Sequence, residues 1–523
     1  MAAGRRGRPY QVPEDTTSLR GGAVNVDARV GWLLLMSRLH HQDPDLALGD
    51  QFNAALRTVG LQADRSAVSR WESGKVTPRY SVLVAYEQAL GLRAGQLTSV
   101  VNALRRALGG EGLPAWMPIL DSRSAGFHER LDGLFDAILD GPATGPEWTA
   151  LGHHVAATNG MYVHGDVWDA LSRKLINQMA RSVGVAYLQR LEAVRLLLEH
   201  RVAHPWLLKA VGDFLDDDAV QIINDPMGVL EISPAPVAAE VILDRLLRTK
   251  SDDVFGAAVD AAAIKIQDDF YGPEDVRRIE QVVLAKLAGP NATARGLEEL
   301  INALPEDSQA RLLASSRGIT GHNELAEVAA HGERFSPDTT RRVSQRIADS
   351  IRSQLPASRL YDEDKMTPRL IREALFSALS TRMHFSSIAL VGSPFRPYLA
   401  AVLADEIATA GLDDPLAPRF ARLLRYVAGP AQEEALLGWL PDAPAQVGRD
   451  MALTLGHLPS DRPLDVMVPL IRGDRSVLDR ALLYGLGMRQ ATELSMVADD
   501  GTRPEHVRAA AKWWQRQGGA VRV

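Results

Sequence analysis

The sequence predicts an all-α protein in which a short N-terminal group of five helices precedes a much longer α-helical body. Past Leu108 the chain consists of amphipathic segments, rich in Ala, Leu and Arg, of roughly ten to eighteen residues with short polar breaks between them. Strand-like alternation of β-branched residues is almost absent. The one short apolar run that could form a strand, Ser387–Gly392, is interpreted as helix.

Length and composition indicate several domains in an aqueous compartment. A chain of 523 residues predicts two to four domains. It contains no apolar stretch long enough to span a membrane, and the charged N-terminus has no apolar segment behind it, so we expect neither membrane association nor a secretory signal. The absence of cysteine excludes disulfides, thiolate zinc sites and cysteine nucleophiles. We therefore expect a cytoplasmic protein.

The net charge of −7 is distributed unevenly along the chain. Residues 1–110 carry 14 Lys and Arg against 9 Asp and Glu, whereas the rest of the chain carries 44 basic against 56 acidic residues. A basic head on an acidic body is typical of a nucleic-acid-binding module joined to a domain of another kind.

Apolar spacing and end signals predict the helices of the head. Asp50 and Asp64 are suitable N-caps, and Gly60 is a suitable stop between the second and third helix. The five predicted helices are Val26–His40, Asp50–Gly60, Arg65–Glu72, Ser81–Leu90 and Ala94–Leu108.

The short third helix has two different faces. Val68 and Trp71 are three residues apart, so they share a face that can pack into the core of a small domain. Its opposite face carries side chains that can read base edges, because a helix of this size fits the major groove, arginine pairs with guanine, and serine serves donor or acceptor edges. These candidate base readers are Arg65, Ser66, Ser69 and Arg70.

The run from Arg65 to Pro78, RSAVSRWESGKVTP, resembles the recognition helix and exit turn of the XRE/Cro family of transcriptional regulators. The resemblance covers roughly residues 25–105 and implies a five-helix, repressor-like helix-turn-helix domain whose third helix reads bases. It also implies a homodimer on double-stranded DNA, with half-sites about one helical turn apart.

The same resemblance assigns contacts with the DNA backbone, and the chain departs from the family pattern in the turn before the third helix. Gln51 falls where the family meets a phosphate or the first base, and Lys75 and Arg79 fall where it contacts phosphates. The turn from Gly60 to Asp64 is about two residues longer than usual for the family. The alternative is an ordinary three-helix segment with an exposed arginine face.

An arginine arm precedes this domain. Arg6-Gly-Arg8-Pro9 resembles an AT-hook, in which an extended arginine pair enters a narrow A·T minor groove. A disordered basic tail that adds only non-specific attraction to phosphates is the alternative.

The C-terminal part contains a repeated pattern. Val447, Val477 and Val507 follow one another at thirty-residue intervals, each opening a helix with alanine close behind it. The pattern is similar to HEAT-like repeats, which would stack into a solenoid with an extended concave surface for a protein or peptide partner. A non-repetitive helical bundle is the alternative.

These observations divide the chain into five segments. They are a basic flexible arm (1–24), the helix-turn-helix domain (25–108), a linker and connecting helix (109–145), an α-helical domain (146–355) and HEAT-like repeats (356–523).

Signatures of catalysis and of cofactor or metal binding are absent from the sequence. There is no phosphate-binding glycine loop, no nucleophile elbow and no HExxH motif, so we expect no enzyme, no cofactor and no metal site. His200 and His204 have the spacing of a helical metal pair but lack further ligands, and we interpret them as surface residues. The segment Gly160–Gly165 with Trp168 could line an effector pocket, but a packed helix contact is preferred.

The sequence thus favours a cytoplasmic, nucleoid-associated regulator that binds specific DNA sequences. In this hypothesis the body forms the homodimer or senses a protein, peptide or small-molecule signal. The alternative hypothesis is a helical-repeat scaffold that recruits a protein partner to DNA.

Overall fold

The computed structural model describes residues 9–109, 117, 123–158, 163–249, 252–289, 292–355, 361, 363–474 and 476–523. The helices in the first half of the chain are α1 Val26–Leu39, α2 Gly49–Thr58, α3 Arg65–Glu72, α4 Tyr80–Ala89, α5 Gln96–Leu108, α6 Ala125–Asp140, α7 Gly145–Ala156, α8 Gly165–Ala180, α9 Val185–Glu199, α10 His204–Leu215, α11 Asn224–Ile232, α12 Pro236–Arg248 and α13 Asp252–Gln267. Those in the second half are α14 Pro273–Leu287, α15 Glu298–Ala303, α16 Glu306–Ser315, α17 His322–His331, α18 Pro337–Gln354, α19 Met366–Phe376, α20 Ser380–Gly392, α21 Arg396–Ala410, α22 Ala417–Val427, α23 Glu433–Trp439, α24 Ala445–His457, α25 Val477–Met488, α26 Glu493–Asp499 and α27 Glu505–Gln517. Short 3₁₀ helices occupy Pro44–Ala47, Pro430–Gln432, Leu440–Asp442 and Asp465–Leu470.

The all-α class is confirmed. Within the described ranges no strand forms, and extended pairing is confined to isolated bridges such as the one between Ser182 and Val521. The run Ser387–Gly392 is helical and lies in α20, as predicted. No single helix of the described chain is long and apolar enough to cross a membrane; α20 and α21 reach that length and composition only as a pair bent by 118°.

The chain folds into two compact units that differ from the predicted segments. The first unit combines Met1–Trp116 with Pro337–Ser377 and Thr381–Glu406. The second unit combines Met117–Ser336, the three residues Ala378–Ser380 and Ile407–Val523. Helices α1 to α5 therefore share a unit with α18, α19 and most of α20 and α21, which the sequence analysis placed in later segments.

Helix α1 is the central element of the first unit, because 12 of its 14 residues are buried. Its Arg29 is completely enclosed and donates hydrogen bonds to both carboxylate oxygens of Glu373 in α19, at 2.9 and 2.8 Å, and to Asp15 at 2.8 Å. Burial by itself would raise the pKa of Asp15, but the Thr17 hydroxyl and Arg29 lower it to about 2. A buried charge without such partners would be very unfavourable, so these contacts require α1 and α19 to fold together.

Aromatic side chains cover another face of α1. Trp32 packs against Phe395 with ring centroids 6.0 Å apart, and His40 lies edge-on to the same ring at 5.0 Å. The Nε2 atom of His40 is 2.9 Å from the hydroxyl of Tyr361. Burial lowers the pKa of His40 to about 4, so this imidazole is neutral at physiological pH. Two faces of α1 are thus covered by later parts of the chain.

The second unit is built from helices that pack on the helix two positions away. Packing joins α7 to α9, α9 to α11, α11 to α13, α13 to α15 and α15 to α17 in one layer, and α12 to α14 and α14 to α16 in another. This arrangement is that of a helical-repeat protein, in which each unit buries its apolar face against its neighbours.

The predicted thirty-residue pattern coincides with stacked helices. Val447, Val477 and Val507 lie in the first turns of α24, α25 and α27, and α25 packs against both of the other two. Gly456 and Gly485 allow α24 and α25 to approach closely, since a Cβ on Gly485 would lie 2.7 Å from a carbonyl oxygen of α24. The repeated sequence is therefore also a repeated packing unit.

Candidate nucleic-acid interface

Helix α3 begins and ends where the sequence predicted. The side chain of Asp64 accepts a hydrogen bond from the backbone N–H of Ala67 at 2.6 Å, which is the N-cap geometry expected for this residue. Before it, Gly60 ends α2 with a φ of +89°, and the N–H of Leu61 donates to the carbonyl of Leu56 at 2.9 Å. The turn between α2 and α3 is therefore closed by ordinary local hydrogen bonds in spite of its length.

The two faces of α3 are as predicted in their burial. Val68 is buried, and Trp71 is half-buried and lies edge-on to Tyr86, with ring centroids 6.5 Å apart. The side chains on the other face are all exposed: Arg65, Ser66, Ser69 and Arg70. The structure thus brings the four candidate base readers together on one accessible surface.

A buried ion pair connects α3 to α1. The guanidinium of Arg38 donates from Nε and Nη2 to the two carboxylate oxygens of Glu72, both at 2.6 Å, and from Nη1 to the carbonyl of Ala47. The hydroxyl of Tyr86 also donates to Glu72, at 3.2 Å. Burial alone would lower the pKa of Arg38, but the hydrogen bonds and charge of Glu72 hold it above its ordinary value. The last turn of α3 is therefore fixed to the core.

The sequence analysis did not identify this pair. The available signal was Arg38 at the end of an otherwise apolar helix, together with Glu72 directly after Trp71 on the buried side of α3. Charged residues at positions of apolar periodicity are buried only when they are paired, so the two could have been proposed as partners.

Glycines bring the exit turn of α3 against the backbone of α1. Gly74 has a φ of +68°, and a Cβ at this position would lie 2.7 Å from the carbonyl oxygen of Asp27. On the other side of the contact, a Cβ on Gly31 would lie 2.6 Å from the nitrogen of Gly74. The hydroxyl of Thr77 donates to the carboxylate of Asp27 at 2.7 Å. Only glycine fits both positions.

The start of α2 differs from the prediction. The N-cap is Leu48, whose backbone is extended, and no side chain caps the helix; the prediction that Asp50 is the cap was wrong by two residues. Asp50 instead forms an ion pair with Arg65 of α3, in which both side chains are about two thirds exposed. An exposed pair of this kind contributes about 0–1 kcal/mol, so Arg65 can exchange it for another acceptor.

The residues assigned to phosphates are exposed as well. Gln51 is exposed in the first turn of α2, and Lys75 and Arg79 are exposed after α3. Lys75 and Arg79 add two positive charges to those of Arg65 and Arg70, and the exposed carboxylates nearby are Asp50 and Asp64. The two arm residues that the sequence analysis nominated, Arg6 and Arg8, lie outside the described residues.

The remaining candidates belong to packing contacts. The proposed effector segment falls partly on residues 159–162, outside the described chain; Trp168 beside it is buried against Phe135, with ring centroids 6.0 Å apart. His200 follows α9 and His204 begins α10, and both are half-buried rather than on the surface as predicted. His204 is 3.0 Å from the hydroxyl of Ser233. Across the described residues, no group of three or more histidine or acidic side chains could hold a metal ion.

Comparison with known proteins adds no relative. No protein-family model, no curated protein and no solved structure matches this chain. The function must therefore be inferred from the residues and their geometry.

Proposed function

We propose that the protein is a sequence-specific double-stranded DNA-binding transcriptional regulator, and that α3 enters the major groove. The observation that carries this proposal is the exposed surface of Arg65, Ser66, Ser69 and Arg70 on a helix whose opposite side is fixed to the core. Arginine can donate to guanine O6 and N7 together, and serine can serve either type of base edge. The resemblance to XRE/Cro regulators supports the same docking mode.

The fixed position of α3 favours specific binding. The Arg38–Glu72 pair and the close contact at Gly74 hold α3 in place before DNA arrives, so this helix does not have to become ordered on binding. The uncapped first turn of α2 presents backbone N–H groups, which favour a phosphate at a helix N-terminus. Gln51, Lys75 and Arg79 would add phosphate contacts around the groove.

The second unit would then supply dimerisation or a signal. Regulators with this head bind as two-fold dimers, and we expect the same homodimer here. The stacked helices of the second unit favour a second candidate, a scaffold that recruits a protein or peptide to DNA, because helical-repeat surfaces commonly bind such partners. Either function belongs in the cytoplasm, on the nucleoid.

Selection of bound sequences from random DNA with the full-length protein tests the proposal. We expect one enriched motif, with two-fold symmetry if the protein binds as a dimer. Arg70→Ala should then weaken binding to that motif by about 1–3 kcal/mol while the fold is unchanged. Arg57→Ala is the matched control, because Arg57 is an exposed arginine at the far end of α2. The absence of any motif, or equal weakening by both variants, would refute the proposal.

A further inference from the structure

Asp50 and Arg65 join the first turns of α2 and α3. Asp50 is the second residue of α2, and Arg65 is the first residue of α3. Nη2 of the arginine donates to Oδ2 of the carboxylate, although the two side chains are 66% and 72% exposed. A Cβ built on Gly49 would lie 3.9 Å from Nε of Arg65, so the guanidinium lies across the start of α2. Two helices therefore contribute to one exposed ion pair.

This ion pair has further hydrogen-bonding groups available. Among the described residues, nothing accepts a hydrogen bond from Nε or Nη1 of Arg65, and nothing donates to Oδ1 of Asp50. A guanidinium has five N–H donors, and each carboxylate oxygen accepts more than one hydrogen bond. Arg65 can therefore donate to a base without leaving Asp50, and Asp50 can accept from a base at the same time.

A carboxylate at this position is unfavourable for phosphate contacts, because its charge repels the DNA backbone. Asp50 does not cap α2, and an exposed ion pair contributes little to stability. In the major groove, a carboxylate can accept a hydrogen bond from the N4 amino group of cytosine. The position of Asp50 beside a candidate guanine reader therefore indicates a contact with a base.

The order of donors and acceptors in the ion pair matches one kind of base pair. Guanine presents N7 and O6 as acceptors, and the cytosine paired with it presents the N4 amino group beside them. O6 and N4 are hydrogen-bonded to each other, as Oδ2 and Nη2 are in the protein, so the two sets of groups have similar spacing. An A·T pair presents a donor between two acceptors, which cannot satisfy two neighbouring arginine donors.

We propose that Asp50 and Arg65 together read a single G·C base pair, in which Arg65 donates to guanine O6 and N7 and Asp50 accepts from cytosine N4. Because α2 and α3 fix which side of the ion pair is the carboxylate, the reverse C·G orientation does not fit. The inference rests on the proposed DNA-binding function. It adds Asp50 to the base readers and specifies one base on each strand.

Selection from random DNA with the full-length protein first identifies the base pair. The wild type should select a motif that contains G·C at the position concerned. That position is the one at which Arg65→Ala loses the preference for guanine. A wild type that selects no motif would refute the DNA-binding function, and this inference with it.

Binding to two duplexes then tests the cytosine contact. One duplex carries the selected motif, and in the other pyrimidin-2-one, which lacks the N4 amino group, replaces the cytosine at that position. The wild type should bind the substituted duplex about tenfold more weakly, because a hydrogen bond to a charged group is lost. Asp50→Ala should bind both duplexes with nearly equal affinity, since it has no carboxylate to accept from the amino group.

A matched variant separates base reading from charge. Asp45 is exposed in the 3₁₀ helix Pro44–Ala47, and Asp45→Ala removes the same charge from the same head. This variant should still prefer the unsubstituted duplex about tenfold, as the wild type does.

A purely structural role of Asp50, such as its favourable interaction with the dipole of α2, predicts a different result. Asp50→Ala would then have a lower Tm, and it would keep the wild-type ratio of affinities for the two duplexes. The same ratio in the wild type and Asp50→Ala would overturn the inference while leaving the DNA-binding function in place.

Discussion

Replacing Glu72 with alanine removes the buried carboxylate that holds Arg38. Two hydrogen bonds of 2.6 Å are lost, and the arginine side chain, only 1% exposed, keeps its charge with no carboxylate beside it and only the carbonyl of Ala47 as an acceptor. Breaking a buried ion pair from one side costs about 3–5 kcal/mol. The hydroxyl of Tyr86 loses its acceptor as well. We therefore expect Glu72→Ala to lower the free energy of unfolding by about that amount.

Urea unfolding followed by fluorescence and circular dichroism measures the loss. Glu14→Ala is the control, because Glu14 forms an exposed ion pair with Lys365 at 3.5 Å, and such pairs contribute about 0–1 kcal/mol. The double variant Arg38→Met/Glu72→Leu should recover much of the stability, since it leaves no unpaired charge.

The same variant has a consequence for DNA. If the proposed function holds, specific DNA binding by Glu72→Ala should weaken more than non-specific binding at a temperature where the variant is still folded, because the pair is buried and positions α3. A stability loss of Glu72→Ala as small as that of Glu14→Ala would refute the reasoning that this pair fixes α3.

Three further predictions concern stability. Gly74→Ala should lower the free energy of unfolding, measured by urea titration, by more than about 1 kcal/mol, because the φ of Gly74 is +68° and a Cβ there would lie 2.7 Å from a backbone oxygen of α1. Gly60→Ala is the control and should cost less, because the φ of Gly60 is +89° but a Cβ there would meet no atom within 4 Å. Burial lowers the pKa of His457 to about 3, so on acidification the unfolded chain takes up a proton at this side chain before the folded chain does. The free energy of unfolding should therefore fall as the pH drops from about 6.5 towards 3, and His457→Phe should flatten that dependence. Burial raises the pKa of Glu231 to about 8 in the folded state, so the folded chain holds this proton more tightly than the unfolded chain, and the free energy of unfolding should fall as the pH rises from about 4.5 to 8. Glu231→Gln should therefore raise the Tm at neutral pH, and an unchanged Tm would contradict the burial of this carboxyl.

Local features of the candidate interface were predictable from the sequence. The bounds of α3, the Asp64 cap and the exposure of Arg65 and Arg70 depend on residues at most a few positions apart. Helical periodicity and capping chemistry act over that distance, so the sequence contains the whole signal. The cap of α2 was misplaced because Asp50, a suitable cap by type, pairs with Arg65 in the next helix instead.

Long-range partners were not predictable in this way. Arg29 and Glu373 are 344 positions apart, and nothing in either local pattern indicates the other. The same is true of Asp260 in α13, on which the charges of Arg422 in α22 and Arg449 in α24 act. Their neighbourhoods depend on which helices stack, and stacking is decided by the shapes of whole apolar faces.

The sequence by itself determined that the chain is helical, where α3 begins and ends, and which of its side chains face solvent. These properties follow from periodicity and hydrogen bonding within single turns. Only the tertiary structure decided that α1 shares its core with α19 and α20, and that Arg38 holds α3 through Glu72. The cost of desolvating a buried charge is offset only by a partner in direct contact. Which residues are in direct contact depends on the folded chain and not on their separation in the sequence.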